Sequence, residues 1–96
     1  MIEFKNQEMH ISGKIAYDNA EAIYLKGLHM IQSENKFPLV VNLSNLEQGS
    51  TLALSVFVQW LRHTPKNQGL QFKAVPEKMM KIIQACHLQD DLKLIA

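Results

Sequence analysis

Apolar and polar residues change their spacing several times along the chain, and each change marks an element. Ile2, Glu3 and Phe4 alternate. Met9, Ile11, Gly13 and Ile15 alternate with polar neighbours. Both stretches predict half-buried strands, joined by a turn over Lys5–Glu8. From residue 17 the period lengthens. On a helical wheel Tyr17, Ala20, Ile23, Tyr24, Gly27, Leu28, Met30 and Ile31 share one side, which predicts an amphipathic helix over 17–33. Pro38-Leu39-Val40-Val41-Asn42-Leu43 is nearly continuous in apolar residues, the pattern of a central strand covered on both faces. Residues 44–50 read as a loop. Ser50 or Thr51 can cap a helix over 52–63, which Pro65, Asn67 and Gly69 close. Leu70, Phe72 and Ala74 alternate as another strand. Pro76 opens a third helix over about 76–87 with Met79, Ile82, Ile83 and Cys86 as its buried stripe. Leu92, Leu94 and Ile95 form a short apolar tail.

The order β-β-α-β-α-β-α implies an α/β domain with a mixed, partly parallel sheet. The 96 residues suffice for one domain, 1–96, with no linker or repeat to divide it. Net charge is +1 and the ten Lys and Arg residues are scattered, so no nucleic-acid footprint is expected. A single cysteine excludes an intrachain disulfide and fits a reducing compartment. Neither a signal peptide nor a membrane-spanning run is expected, which points to a cytoplasmic protein without direct membrane insertion.

Little here has the spacing of catalytic chemistry. Of His10, His29, His63 and His87, no two lie three or four residues apart, so no zinc set is expected. Asp90-Asp91 reads as a solvated turn, because paired-carboxylate catalysis needs two groups converging across a cleft. Cys86 reads as a small buried hydrophobe, and the five methionines as core filler. No glycine-rich phosphate loop is present. The expectation is no enzyme, no metal and no cofactor.

The segment over 52–63 stands apart. Leu52, Ala53, Leu54, Val56, Phe57, Val58, Trp60 and Leu61 cover about 240° of its wheel, where packing on one sheet face needs roughly 100°. The surplus runs along Leu52, Val56 and Trp60. Either neighbouring helices cover it, or it is an exposed anchor strip for a partner, a role in which tryptophan is favoured.

Val40-Val41-Asn42-Leu43-Ser44-Asn45-Leu46, followed by Ser50-Thr51 and an apolar helix, resembles the STAS domain, the family of anti-sigma-factor antagonists and sulfate-transporter tails. Asn42-Leu43-Ser44 matches the end of that family's strand, and Thr51 falls where its phosphorylatable Ser/Thr sits. Gln68-Gly69-Leu70, Val75-Pro76, Ile83, Leu88 and the acidic pair continue the likeness. Ser50 stands where the family has Asp, and Leu52 and Ala53 stand where it has glycine. The short single-domain form is most similar to the small STAS subunits of Mla-type phospholipid-transport ABC complexes.

That resemblance implies a STAS-like fold and a non-catalytic accessory subunit. It would bind the ATPase of a complex that also holds a permease and a substrate-binding membrane protein. It would support the assembly and activity that maintain outer-membrane lipid asymmetry, and would sit peripherally at the inner face of the inner membrane. Glu47, Gln48, Ser50, Thr51, Leu52, Val56 and Trp60 are then the expected partner-binding residues. The alternative implied function is an anti-sigma-factor antagonist switched by phosphorylation of Thr51, which the missing Asp disfavours.

Overall fold

In a computed structural model describing residues 2–34, 36–47, 49–65, 69–88 and 90–95, the chain opens with a tight hairpin. Asn6 and Gln7 both take positive φ, 53° and 64°. That is the backbone of a two-residue turn whose twist matches the strands it joins. The turn pairs β1 (Ile2–Lys5) antiparallel with β2 (Glu8–Gly13), Lys5 opposite Glu8. The chain continues through α1 (Ala20–Glu34), β3 (Leu39–Leu46), α2 (Thr51–Arg62), β4 (Leu70–Lys73), α3 (Glu77–Ala85) and β5 (Lys93–Ile95).

The five strands lie in the order β1-β2-β3-β4-β5, and every pair after the first is parallel. Each crossover therefore steps one strand in the same direction. Right-handed crossovers that all step the same way put their helices on one face of the sheet. Burial along the strands agrees. Met9, Ile11, Val41, Leu43, Leu70 and Phe72 are buried, while Glu8, His10, Asn42, Gln71 and Lys73 between them are only half-buried.

Several expectations are corrected here. β3 is the central strand, as its apolar run suggested, but only one of its faces is covered by helices. It also runs on to Leu46, so the first three residues of the expected 44–50 loop are strand. The apolar tail is a fifth strand, three residues long, recognisable only by its pairing with β4. The first helix starts at Ala20. Tyr17, placed on its buried side from the wheel, is 95% exposed. Cys86 lies at the C-terminal cap of α3 and is exposed, outside the stripe that Met79 and Ile83 do bury. Asn67, expected among the residues closing α2, and Gln68 lie outside the described residues. Among those described, no helix is long and apolar enough to cross a membrane.

Candidate docking surface

The surface is built where β3 hands the chain to α2. Asn42 Oδ1 accepts from the Ser44 amide at 2.9 Å. At the end of the strand the Glu47 amide donates to the Gly13 carbonyl at 2.7 Å, tying the connection to the end of β2. Gly49 then passes so close to α3 that an added Cβ would sit 3.0 Å from the Met79 Cα and backbone nitrogen. The absent side chain is what lets this backbone approach the neighbouring helix.

Ser50 is the helix cap. Its backbone is extended (φ −153°, ψ 163°), and its Oγ accepts from the Ala53 amide at 3.1 Å. That satisfies one of the donors a helix start leaves orphaned. The cap is thus Ser50 and not Thr51. Thr51 is the first helical residue, with its side chain exposed. No acidic residue occupies the first turn of α2, so the positive end of the helix dipole is uncompensated there. Glu47 is exposed, Leu52 is half-buried, and Gln48 lies outside the described residues.

Val56 and Trp60 belong elsewhere. Val56 is 6% exposed and Trp60 0%, so in this chain neither is an exposed anchor. The broad apolar arc of α2 has two neighbours to fill. On the sheet side Phe57 meets Phe72, ring centroids 5.5 Å apart. On the α1 side the Trp60 indole lies over Gly27, and its Nε1 donates to the Tyr24 carbonyl at 2.9 Å. The central helix of a one-sided layer packs against the sheet and both flanking helices, which accounts for an arc wider than sheet packing needs.

What α2 leaves exposed is a stripe of Thr51, Ser55 and Gln59 at every fourth position, with Arg62 in its last turn. Ser55, Val56 and Gln59 meet Ala20, Glu21 and Tyr24 of α1 along a shallow open groove of about 390 Å³. At its far end Tyr24 Oη and His63 Nε2 are 3.2 Å apart. Sequence reasoning missed the contribution of α1, because nothing in the pattern sets which flank of α1 faces α2.

The open sheet face carries a second polar feature. Glu8 Oε1 accepts from Asn42 Nδ2 at 3.0 Å, and Glu8 Oε2 accepts from Lys73 Nζ at 3.0 Å. His10 Nε2 lies 3.8 Å from Glu8 Oε1. One carboxylate thus bridges β2, β3 and β4. The hydrogen bond from Asn42, then that from Lys73, holds the Glu8 carboxyl below the usual glutamate range. The alternation of β2 marks Glu8 as outward-facing, but only the sheet register brings Asn42 and Lys73 to it. Among the described residues no three His, Cys, Asp or Glu side chains gather as a metal set.

Comparison with known proteins gives the same architecture a lineage. The family model described as "Mlab, STAS domain" matches residues 2–95. No curated protein sequence matches the chain. A chain of the Acinetobacter MlaFEDB complex, in the ATP-bound Vtrans2 conformation, is 58% identical, covers 99% of each chain and superposes with a TM-score of 0.93. In the ATP-bound Vtrans1 conformation of that complex the identity is again 58%, over 99% of this chain and 100% of the other, with a TM-score of 0.91. An anti-sigma factor antagonist from Mycobacterium paratuberculosis shares the fold at a TM-score of 0.77 but only 20% identity, over 98% of this chain and 81% of the other.

Proposed function

This chain belongs to the STAS-domain family, and from that premise we propose that it is a non-catalytic accessory subunit of a phospholipid-transport ABC complex. In this reading it binds the ATPase subunit on the cytoplasmic side, and a permease and a substrate-binding membrane protein complete the assembly. It is held at the inner face of the inner membrane through its partner, and it supports the activity that keeps outer-membrane lipids asymmetric. The observation that carries the reading is 58% identity across 99% of both chains to a component of the MlaFEDB complex. Identity at that level over matched lengths leaves little room for a different partner surface. The anti-sigma-factor antagonist has only the fold in common at 20% identity.

The contact is assigned to the corner that Glu47, Ser50, Thr51 and Leu52 form. Thr51 presents an exposed hydroxyl at a helix start with no acid in its first turn. A partner can use that hydroxyl for a hydrogen bond while Leu52, half-buried in the free chain, is covered further. Val56 and Trp60 then act from beneath, by holding α2 in place.

Co-purification with the ATPase tests this. Thr51→Glu keeps the fold, because a carboxylate near a helix N-terminus is favourable by about 0.3–1 kcal/mol. It loses the ATPase, because an unpaired carboxylate is costly to bury in an interface. Thr51→Ser retains both. Undiminished co-purification of the Glu variant removes Thr51 from the interface, and failure of the unmodified chain to bind the ATPase overturns the function itself.

A further inference from the structure

β1 is an outer strand of the sheet, hydrogen-bonded to β2 on one side only. In a two-residue hairpin the flanking residues, here Lys5 and Glu8, exchange both backbone hydrogen bonds. Bonded and non-bonded pairs then alternate along an antiparallel ladder. Glu3 therefore bonds to His10 as Lys5 does to Glu8, and the N–H and C=O of Phe4 point away from β2. Among the described residues no loop or side chain bonds to them. The side chains follow the pleat. Glu3 and Lys5 are exposed on the open sheet face. Phe4 is half-buried on the helix face, beside a recess of about 220 Å³ that Glu34 and Lys36 also line.

A lysine on an edge strand usually discourages pairing with another chain. β1 carries the answering charge two residues away, and neither charge is used within the chain. Lys5 lies opposite Glu8, but Glu8 Oε1 accepts from Asn42 and Oε2 from Lys73. Glu3 lies opposite His10, whose Nε2 is buried without a hydrogen bond, 3.8 Å from Glu8 Oε1. No ion pair among the described residues includes Glu3 or Lys5. Set antiparallel to itself about a twofold axis at Phe4, the strand puts Glu3 of each copy opposite Lys5 of the other. The two Phe4 residues then exchange their outward N–H and C=O groups. The Glu3–Lys5 crossings become non-bonded pairs, whose side chains lie closest. Sliding the strand by two residues either way sets glutamate on glutamate or lysine on lysine, so the charges select one register. We infer that β1 pairs with β1 of a second copy of this chain, joining the two five-stranded sheets into one. The contact is isologous and closes at two copies. The hairpin turn lies at the start of β2, whereas Thr51 follows the end of β3, which runs parallel to β2. Edge pairing therefore leaves the Thr51 corner free.

Sedimentation equilibrium of the full chain, without its partners, tests this. An interface of one short strand a side is small, so the expected dissociation constant is roughly 0.1–1 mM in low salt. It rises several-fold in about 0.5 M salt, which screens the crossed charges. Glu3→Lys sets lysine against lysine at both crossings, and Lys5→Glu sets glutamate against glutamate. Each weakens association by about tenfold or more. The double variant Glu3→Lys/Lys5→Glu recovers wild-type association to within about threefold, and the two single variants mixed together pair with each other. The Phe4 amide resonance moves with protein concentration. Lys93→Glu, on the opposite edge strand, leaves association unchanged. All the altered side chains are exposed, so melting temperatures shift by no more than about 4 °C and the variants stay folded. A wild-type chain that remains monomeric at about 1 mM in low salt overturns the pairing. Single variants that dimerise like the wild-type chain, or a double variant as weak as the singles, overturn it equally.

Discussion

Gly27→Ala sets two well-understood effects against each other at one atom. In an exposed helix this exchange stabilises by about 0.8–1.0 kcal/mol, since glycine loses more backbone freedom on folding. Here the new Cβ would lie 2.2 Å from Cζ2, 2.4 Å from Cε2 and 2.8 Å from Nε1 of Trp60. Carbon atoms in contact sit about 3.5–4.0 Å apart, so the indole or α1 has to move by more than an ångström. Trp60 is completely buried and cannot swing into solvent. Overpacking of this kind costs about 1–3 kcal/mol. Sliding the ring also breaks the Nε1 bond to the Tyr24 carbonyl, and a buried donor without a partner costs about 1–3 kcal/mol more. Subtracting the propensity gain leaves a net loss of roughly 1–5 kcal/mol. At about 4–8 °C per kcal/mol for a domain of this size, the melting temperature falls by at least several degrees.

The assay is urea unfolding followed by circular dichroism, run as a double-mutant cycle with Trp60→Leu. The single change Trp60→Leu is itself destabilising, because it leaves a cavity. In that background the added methyl meets freed volume instead of an indole, so Gly27→Ala becomes neutral or mildly stabilising. A change of sign between backgrounds is the expected outcome. Gly27→Ala stabilising the otherwise unmodified protein, or an equal effect in both backgrounds, would refute the packing of Trp60 on Gly27. It would also reopen the reading of Trp60 as a residue turned toward a partner.

Two further outcomes follow from the geometry. Ser50→Ala removes the cap of α2 and lowers stability by about 0.5–2 kcal/mol, whereas Thr51→Ala, at an exposed position that does not cap, stays within about 0.5 kcal/mol in the same melts. The reverse order would return the cap to Thr51. The Glu8 carboxyl is held below its usual value of 4.5 in the folded state, so its contribution is present above that value and is lost as pH falls through the lower, folded one. Glu8→Gln therefore reduces stability at pH 7 by up to about 1 kcal/mol, the range of a solvent-accessible ion pair. The gap to the wild-type protein closes in acid, and a constant gap across the pH range would remove the Glu8 network as its source.

Hydrophobic period by itself determined the strands around Ile2–Phe4, Met9–Ile11, Leu39–Leu43 and Leu70–Phe72, and the three helices between them. Burial repeats every two residues in a strand and about every 3.6 in a helix, and local sequence carries both periods. The Asn42-Leu43-Ser44 and Ser50-Thr51 pattern likewise determined the family, because cap and strand end are read from adjacent residues. Contacts between distant segments were not legible in this way. β5 has only three residues and becomes a strand only through β4. The bond from Lys73 to Glu8 spans sixty-five positions and depends on the register of three strands. Tyr17 and Leu25, together with Trp60, show the same limit from opposite sides. A wheel records how much apolar surface a helix has, and Trp60 lies in a surplus that looks like a free anchor. Only the packing of α2 between the sheet and its neighbouring helices decides that this surplus is core. Among the described residues the large exposed apolar side chains sit elsewhere, Tyr17 in the turn before α1, Leu25 on α1 and Ile95 in β5, where only the tertiary packing leaves them uncovered.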